Sequence, residues 1–212
     1  MQPGFYLSVC AVSVLGLLYA EWRERPVLRW IFKPLAALAF IWTGASAGAI
    51  ETPFGRIILL GLILCAIGDV LLIPKAKNAF LAGMAAFAAG HVAYIAAFFS
   101  GGIVISLAVV LTAFLFSAFA AGFVYWLRRD LGAFFRPVAV YSLIIGAMVV
   151  ASVGHLAAQP TQESAQLALA AAGFAISDIS VARDRFKGAG FVNRLWGLPL
   201  YFGSQCLFAI SV

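Results

Sequence analysis

The chain has 212 residues, of which 64% are hydrophobic and 10% are charged, and its formal net charge is +6. An average soluble domain is about 45–50% apolar, so this composition excludes an ordinary soluble protein and predicts a polytopic membrane protein. The strict apolar–polar alternation of a membrane barrel is absent from the sequence, and helices therefore remain as the way to satisfy the backbone in lipid.

Taken in chain order, the apolar stretches predict an all-α fold with eight transmembrane helices. Each stretch is close to the roughly 20 residues that a helix needs to cross a bilayer. The first stretch lacks the basic leader and cleavage site of a secretory signal, so we expect it to be retained as a span. The predicted spans are 4–20, 28–48, 55–73, 79–99, 103–126, 135–157, 164–182 and 196–212.

The three cysteines all fall inside these apolar stretches, at Cys10, Cys65 and Cys206. An odd number of cysteines at membrane depth argues against a disulfide framework, and no pair has the spacing of metal ligands. Because free cysteine behaves as a small apolar residue, we expect all three to be core residues.

The basic residues are strongly asymmetric along the chain. Thirteen of the 14 lysines and arginines lie in or beside the first, third, fifth and seventh connections, and only Arg56 lies on the other side. The positive-inside rule then places the basic loops in the cytoplasm and both termini outside, which suits a bacterial inner membrane. Membrane orientation thus explains the net charge, and we expect no nucleic-acid partner.

A weak internal repeat is visible in a chain that otherwise reads as a single domain. Phe32-Lys33-Pro34 matches Phe135-Arg136-Pro137, and Gly68-Asp69-Val70 matches Ser177-Asp178-Ile179. Halves at 1–101 and 102–212 would each contain four spans, which predicts a pseudo-twofold axis along the membrane normal. Chance similarity between apolar segments is the alternative.

Two acids, Asp69 and Asp178, lie inside predicted spans, each four residues before the predicted end. At 1.5 Å per residue this places both carboxyls about 6 Å below the cytoplasmic boundary. An unpaired ionisable group in hydrocarbon costs at least about 2.5–3.5 kcal/mol, so such residues are functional candidates. The structural alternative is an ion pair that fixes helix register.

Other polar residues converge on the same level of the predicted bundle. Lys33 and Tyr201 lie about five residues into helices that start from the cytoplasmic side, and Gln205 lies one turn deeper than Tyr201. His91 and Tyr94 lie deeper, near the middle of the membrane. This convergence favours a site over a purely structural pair.

The chain resembles the YhhN-like lysoplasmalogenase family of eight-span membrane proteins. The resemblance covers nearly the whole chain, although no single motif is specific. It is carried by Lys33-Pro34, Gly68-Asp69, Leu71-Leu72, Phe80, Gly83, Phe87, His91, Tyr94, Ser177-Asp178, Arg185-Phe186 and the last helix with Tyr201 and Gln205. It implies hydrolysis of the vinyl ether of a lysophospholipid in the bilayer, with release of a fatty aldehyde, and it implies that the two aspartates are the catalytic pair.

The implied chemistry suits two carboxyl groups. A vinyl ether is first protonated at carbon, and water then captures the oxocarbenium ion, as in glycosidases. Two nearby acids titrate separately because like charges repel, so one can act as an acid and the other as a base. We expect Asp178 to be the acid and Asp69 the base that activates water, with no cofactor and no metal. A hard-metal site on the two aspartates is the less favoured alternative.

The remaining candidates are assigned to substrate binding. Lys33, Arg183 and Arg185 are predicted to bind the phosphate, and Tyr201 and Gln205 to orient water or the ether oxygen. His91 and Tyr94 complete the predicted substrate-binding set, with an interhelical hydrogen bond as the structural alternative for His91. The competing hypothesis is a transporter or lipid-binding protein that uses the aspartates for proton or cation coupling.

Overall fold

The computed structural model describes residues 2–74, 76–188 and 190–212, and it is helical throughout its length. It contains eight α-helices, with one short 3-10 turn, Gly132–Phe134, between the fifth and the sixth. The helices are α1 (Pro3–Trp22), α2 (Pro26–Ser46), α3 (Pro53–Leu71), α4 (Lys77–Ser100), α5 (Leu107–Leu131), α6 (Phe135–Ala158), α7 (Gln162–Phe186) and α8 (Phe191–Ile210).

The sequence supplies recognisable start signals for several helices. Proline occupies the first helical position of α1, α2 and α3, where its missing N–H is not needed. The side chains of Thr52, Ser106 and Thr161 cap α3, α5 and α7 by accepting a hydrogen bond from a backbone N–H in the first turn.

The helices match the predicted apolar stretches, but their ends differ by up to five residues. Arg128 and Arg129 lie in the last turn of α5, and Arg183 and Arg185 in the last turn of α7. Hydropathy marks where the apolar stretch ends, whereas the backbone hydrogen bonds continue into the polar residues beyond it. The predicted spans were therefore too short at these ends.

Six segments of the described chain are long and apolar enough to cross a membrane. Five of them are α1, α2, α3, α4 and α7, and the sixth, Leu107–Ala158, contains both α5 and α6. The last helix, α8, is not among the six. A helical membrane protein is thus confirmed, whereas eight separate crossings stay a prediction.

Helices that are neighbours in sequence pack against each other, except α4 and α5, and α8 closes the bundle by packing against α1, α2 and α3. The odd-numbered connections, which carry the basic residues, meet at one end: the Lys187 ammonium lies 2.5 Å from Asp130, and the Phe134 and Phe186 rings are 5.6 Å apart. Lys75, one of the predicted cytoplasmic residues, lies outside the described residues. We call this end of the bundle the basic end.

The helix α5 lies at the periphery. It packs mainly on α6 and touches α7, and its buried residues are Val109, Leu127 and Leu131. Most of its other side chains are partly or fully exposed, as expected for a helix that faces lipid.

Two kinds of buried polar or reactive side chain lie in the helix interfaces. His155 is buried, and its ring stacks on Phe54 and Phe98 at 5.4 and 5.7 Å. Cys10 and Cys65 are buried core residues as predicted. Cys206 is partly exposed, and its Sγ lies 3.5 Å from the Sγ of Cys10.

Candidate functional site

Asp69 lies near the end of α3 and is almost completely buried, with 1% of its surface exposed. The Lys33 ammonium of α2 lies 3.2 Å from Oδ1, and the Tyr201 hydroxyl of α8 donates a hydrogen bond of 2.6 Å to Oδ2. Both carboxyl oxygens therefore accept hydrogen bonds, one of them from a cation. A buried charge needs such partners, and both donors favour the ionised form of Asp69.

A chain of hydrogen bonds behind Tyr201 fixes the direction of its hydroxyl proton. The amide nitrogen of Gln205 donates to the Tyr201 oxygen at 3.1 Å, and the Tyr94 hydroxyl donates to Oε1 of Gln205 at 2.8 Å. Because the Tyr201 oxygen already accepts from Gln205, its own proton is directed at Asp69. We call Tyr94, Gln205 and Tyr201 the hydrogen-bond relay.

Asp178 lies in the interior of α7 and has a different environment. The Tyr141 hydroxyl of α6 donates a hydrogen bond of 2.6 Å to its Oδ2. No ion pair within the described part of the chain involves Asp178. Its carboxyl group is thus held by a neutral donor, whereas that of Asp69 is held by a cation.

Both aspartates line the same cavity, whose wall is formed by residues of α2 to α8 and whose volume is about 130 Å³. Lys33, Tyr141 and Tyr201 also reach its surface. The rest of the wall is mostly apolar and includes Phe87, Phe116, Phe119, Phe123, Ile145 and Leu198. We call this space the apolar cavity. Its two carboxyl groups face a surface that otherwise suits hydrocarbon.

The two acids lie at different distances from the ends of their helices, and their equal depth in the membrane stays a prediction. Asp69 is two residues before the end of α3, whereas Asp178 is eight residues before the end of α7. Likewise, Lys33 and Tyr201 are seven and ten residues beyond the first residues of α2 and α8. The residues reach one cavity because the helices extend by different lengths past it at the basic end.

Two predicted site residues, His91 and Tyr94, are not among the residues that line the apolar cavity. Both are fully buried, and the His91 ring lies 5.4 Å from that of Tyr141 and 4.5 Å from that of Phe174. Neither ring nitrogen of His91 has a hydrogen-bond partner in the described structure. Substrate contact by His91 and Tyr94 stays a prediction, and the geometry places them behind the residues that face the cavity.

The two predicted phosphate-binding arginines have different environments. Arg183 is exposed and lies on the outer surface of α7. Arg185 is partly buried, and its guanidinium lies 4.6 Å from the centre of the Phe80 ring, in the wall of a second, polar space beside the apolar cavity.

Tyr141 is a site residue that the sequence reasoning missed. It lies about two turns into α6, in a stretch that is otherwise apolar. A tyrosine in an apolar helix can be recognised from the sequence as a candidate, because its buried hydroxyl needs a hydrogen-bond partner. As for metal ligands, no group of three or more histidine, cysteine, aspartate and glutamate side chains that could hold an ion is found among the described residues.

The fold and the site together define a helical membrane protein with two carboxyl groups in an apolar cavity. The sequence profile of the YhhN family matches residues 28–212, and the chain belongs to this family. The chain is similar to lysoplasmalogenase TMEM86A of Bos taurus, with 30% identity over 185 residues, covering 86% of this chain and 72% of the relative. No solved structure matches the chain. The resemblance drawn from the sequence is confirmed.

Proposed function

We propose that this protein is a hydrolase that cleaves the vinyl ether bond of lysoplasmalogens, releasing a fatty aldehyde and a glycerophospho-headgroup. The relative's name, lysoplasmalogenase, supports the reaction class. The observation that carries the proposal is the pair of aspartates, Asp69 and Asp178, on the wall of one apolar cavity. The reaction requires a site that accommodates the lysolipid chain and that contains an acid–base pair, and the apolar cavity offers both.

Asp178 is the proton donor in this mechanism. Its carboxyl group accepts a hydrogen bond from the neutral Tyr141 hydroxyl in a largely apolar wall, and such an environment disfavours a second carboxylate near Asp69. The protonated carboxyl transfers its proton to the vinyl carbon that is not bonded to oxygen. The C=C bond is converted to a single bond, and the positive charge is shared between the other carbon and the ether oxygen.

Asp69 is the base. Lys33 and Tyr201 favour its ionised form, and one water molecule at the cavity surface loses a proton to it as the oxygen bonds to the oxocarbenium carbon. The product is a hemiacetal. Its collapse breaks the bond between that carbon and the ether oxygen. The ether oxygen takes the proton held by Asp69, the hemiacetal hydroxyl gives its proton to Asp178, and an aldehyde and an alcohol leave. One water molecule is consumed, and both aspartates return to their starting states.

The hydrocarbon chain of the substrate lies along the aromatic wall formed by α5. Phe116, Phe119 and Phe123 follow one another at helical spacing on this wall. Because α5 is peripheral and packs mainly on α6, it separates the cavity from the surrounding lipid. A lysolipid can therefore reach the aspartates from within the bilayer, beside this helix.

The membrane arrangement that fits this route has eight crossings, with the basic end in the cytoplasm and both termini outside. The packing supports the two predicted halves in part, since α1 packs on α8 whereas α5 does not pack on α4. The pairs α1–α2, α2–α3 and α3–α4 correspond to α5–α6, α6–α7 and α7–α8, and α4–α6 corresponds to α8–α2. The site then lies nearer the inner leaflet, where a lysolipid would enter.

The transporter alternative would require helices broken at mid-membrane. The helices that carry Lys33, Asp69, Asp178 and Tyr201 are each continuous, even where α2 and α8 contain an internal proline. This continuity favours the enzyme.

The test is aldehyde release from a lysoplasmenyl lipid by purified protein, compared with Asp69→Asn, Asp178→Asn and the control Asp130→Asn. Asp130 is an acid outside the cavity whose side chain is about one-third exposed. We expect the wild type and the control to release aldehyde, and each cavity variant to lose about 10²–10⁴-fold in rate. Persistent release by both cavity variants refutes the mechanism. No release by the wild type favours the transporter or lipid-binding alternative.

A further inference from the structure

A second space lies beside the apolar cavity at the basic end and has a volume of about 310 Å³. Its wall includes six charged residues: Glu21, Arg29, Lys33, Asp184, Arg185 and Arg194. We call it the polar chamber. Lys33, Leu72, Phe80 and Leu198 line both spaces, so the two are contiguous and share a wall. A molecule with a charged head and an apolar tail could occupy both at once.

Ion pairs from four helices fix the charged side chains of the chamber. Glu21 of α1 accepts from Arg29 of α2 at 3.1 Å and from Arg194 of α8 at 2.6 Å. Arg194 also donates to Oδ2 of Asp184 on α7, through Nη2 at 3.0 Å and Nε at 3.2 Å. The two carboxylates thus hold the guanidinium groups in place rather than leaving them as mobile surface charges.

Basic side chains outnumber acidic ones in the wall of the chamber. Among its described residues, Arg29, Lys33, Arg185 and Arg194 are basic, and Glu21 and Asp184 are acidic. Lys33 is matched by Asp69 in the neighbouring cavity. Guanidinium groups are well suited to binding phosphate oxygens.

We propose that the polar chamber binds the phosphodiester of a lysolipid headgroup while the hydrocarbon chain occupies the apolar cavity. This inference rests on the proposed function, because it assigns the headgroup subsite of the same substrate. Because the two spaces share a wall, a lipid phosphodiester fits them better than free phosphate does. The lipid chain fills the apolar cavity, whereas free phosphate would leave it empty. The glycerol backbone then lies near Lys33, between the two spaces.

Arg29 is the residue that tests this subsite most directly. It lies one helical turn before Lys33 on α2 and bonds Glu21 through one terminal nitrogen. Its Nε is buried and has no hydrogen-bond partner in the part of the chain that the structure describes. The guanidinium is therefore not saturated by protein acceptors, and a phosphate oxygen can complete its hydrogen bonding. Arg194, by contrast, joins two acids and is needed for the chamber itself.

The experiment measures binding without hydrolysis, so that it stands apart from the catalytic proposal. The probes are a saturated 1-alkyl-glycerophosphoethanolamine, whose ether bond is not a vinyl ether, and the neutral 1-alkylglycerol of the same chain length. The proteins are the wild type, Arg29→Gln and the control Arg25→Gln, which removes the same charge from an exposed position at the start of α2. Affinity is followed by intrinsic tryptophan fluorescence in detergent micelles.

We expect Arg29→Gln to bind the phospholipid probe about tenfold more weakly, because a charge-assisted hydrogen bond is lost, and to bind the neutral probe as the wild type does. Arg25→Gln should match the wild type with both probes. The proposal is overturned if Arg29→Gln weakens both probes equally, if it weakens neither, or if equimolar inorganic phosphate displaces the lipid.

Binding and hydrolysis can fail separately. If headgroup selectivity depends on Arg29 but the wild type releases no aldehyde from a vinyl ether lipid, the chamber assignment stands and the reaction is wrong. If aldehyde is released but Arg29→Gln retains full selectivity for the phosphate, the reaction stands and the chamber assignment is wrong.

Discussion

The ion pair between Lys33 and Asp69 gives the sharpest test of how the site is held together. The two charged groups are 3.2 Å apart, and their side chains are 14% and 2% exposed. At an effective dielectric constant of about 20, their attraction is about 5 kcal/mol. The desolvation of both groups offsets much of this, so the pair contributes little net stability, but removing one partner leaves the other charge buried and unmatched.

Lys33→Met should therefore destabilise the protein by about 3–5 kcal/mol. At about 2–4 °C per kcal/mol this lowers Tm by at least about 6 °C, measured by thermal unfolding in detergent. The double variant Lys33→Met with Asp69→Asn should recover part of the loss, because the unmatched carboxylate is gone. A double-mutant cycle should then give a coupling of about 2 kcal/mol.

The control is the same substitution at Lys187, whose pair with Asp130 is about one-third exposed on both sides. An exposed pair contributes about 0–1 kcal/mol, so Lys187→Met should have little effect. The reasoning is refuted if Lys33→Met costs no more than Lys187→Met, or if the losses from the two single variants at Lys33 and Asp69 simply add.

Three further predictions concern packing, the relay and the acid. Gly90→Ala should destabilise the bundle by about 1–3 kcal/mol because its new Cβ would lie 2.7 Å from the Cys65 Sγ, whereas Gly122→Ala, with nothing within 4 Å, should be neutral or stabilising in the same thermal assay. Gln205→Leu removes the acceptor of the buried Tyr94 hydroxyl and the donor to the Tyr201 oxygen, and it should lower stability by about 1–3 kcal/mol; an unchanged Tm would count against the relay. Tyr141→Phe should lower the rate of aldehyde release while preserving the fold, and unchanged kinetics would show that this hydroxyl does not orient the acid.

Much of the architecture was accessible from composition and hydropathy. The apolar stretches located all eight α-helices to within about five residues, since a helix in lipid must satisfy its own backbone. The same reasoning singled out Asp69 and Asp178, because carboxyl groups are costly in hydrocarbon and stand out in a chain that is 10% charged. Lys33, Tyr201 and Gln205 also followed from the sequence, as polar residues in apolar helices.

The partners of these residues were decided only by the tertiary structure. Whether two side chains on different helices meet depends on helix rotation and on where each helix ends, and an apolar helix with little polar–apolar asymmetry gives weak evidence about either. For this reason the sequence did not pair Asp178 with Tyr141, and it did not anticipate the Glu21–Arg194–Asp184 network.

The difference between what the sequence predicts and what helix packing decides is clearest for the charged residues at the basic end. The sequence assigned Arg194 to membrane orientation alone, because the positive-inside rule counts charges without regard to their contacts. In the folded bundle, α1, α7 and α8 bring Glu21, Asp184 and Arg194 within hydrogen-bonding distance, beside the apolar cavity. Amino-acid composition determined that this chain enters a membrane, and helix packing determined which of its few charges face one another.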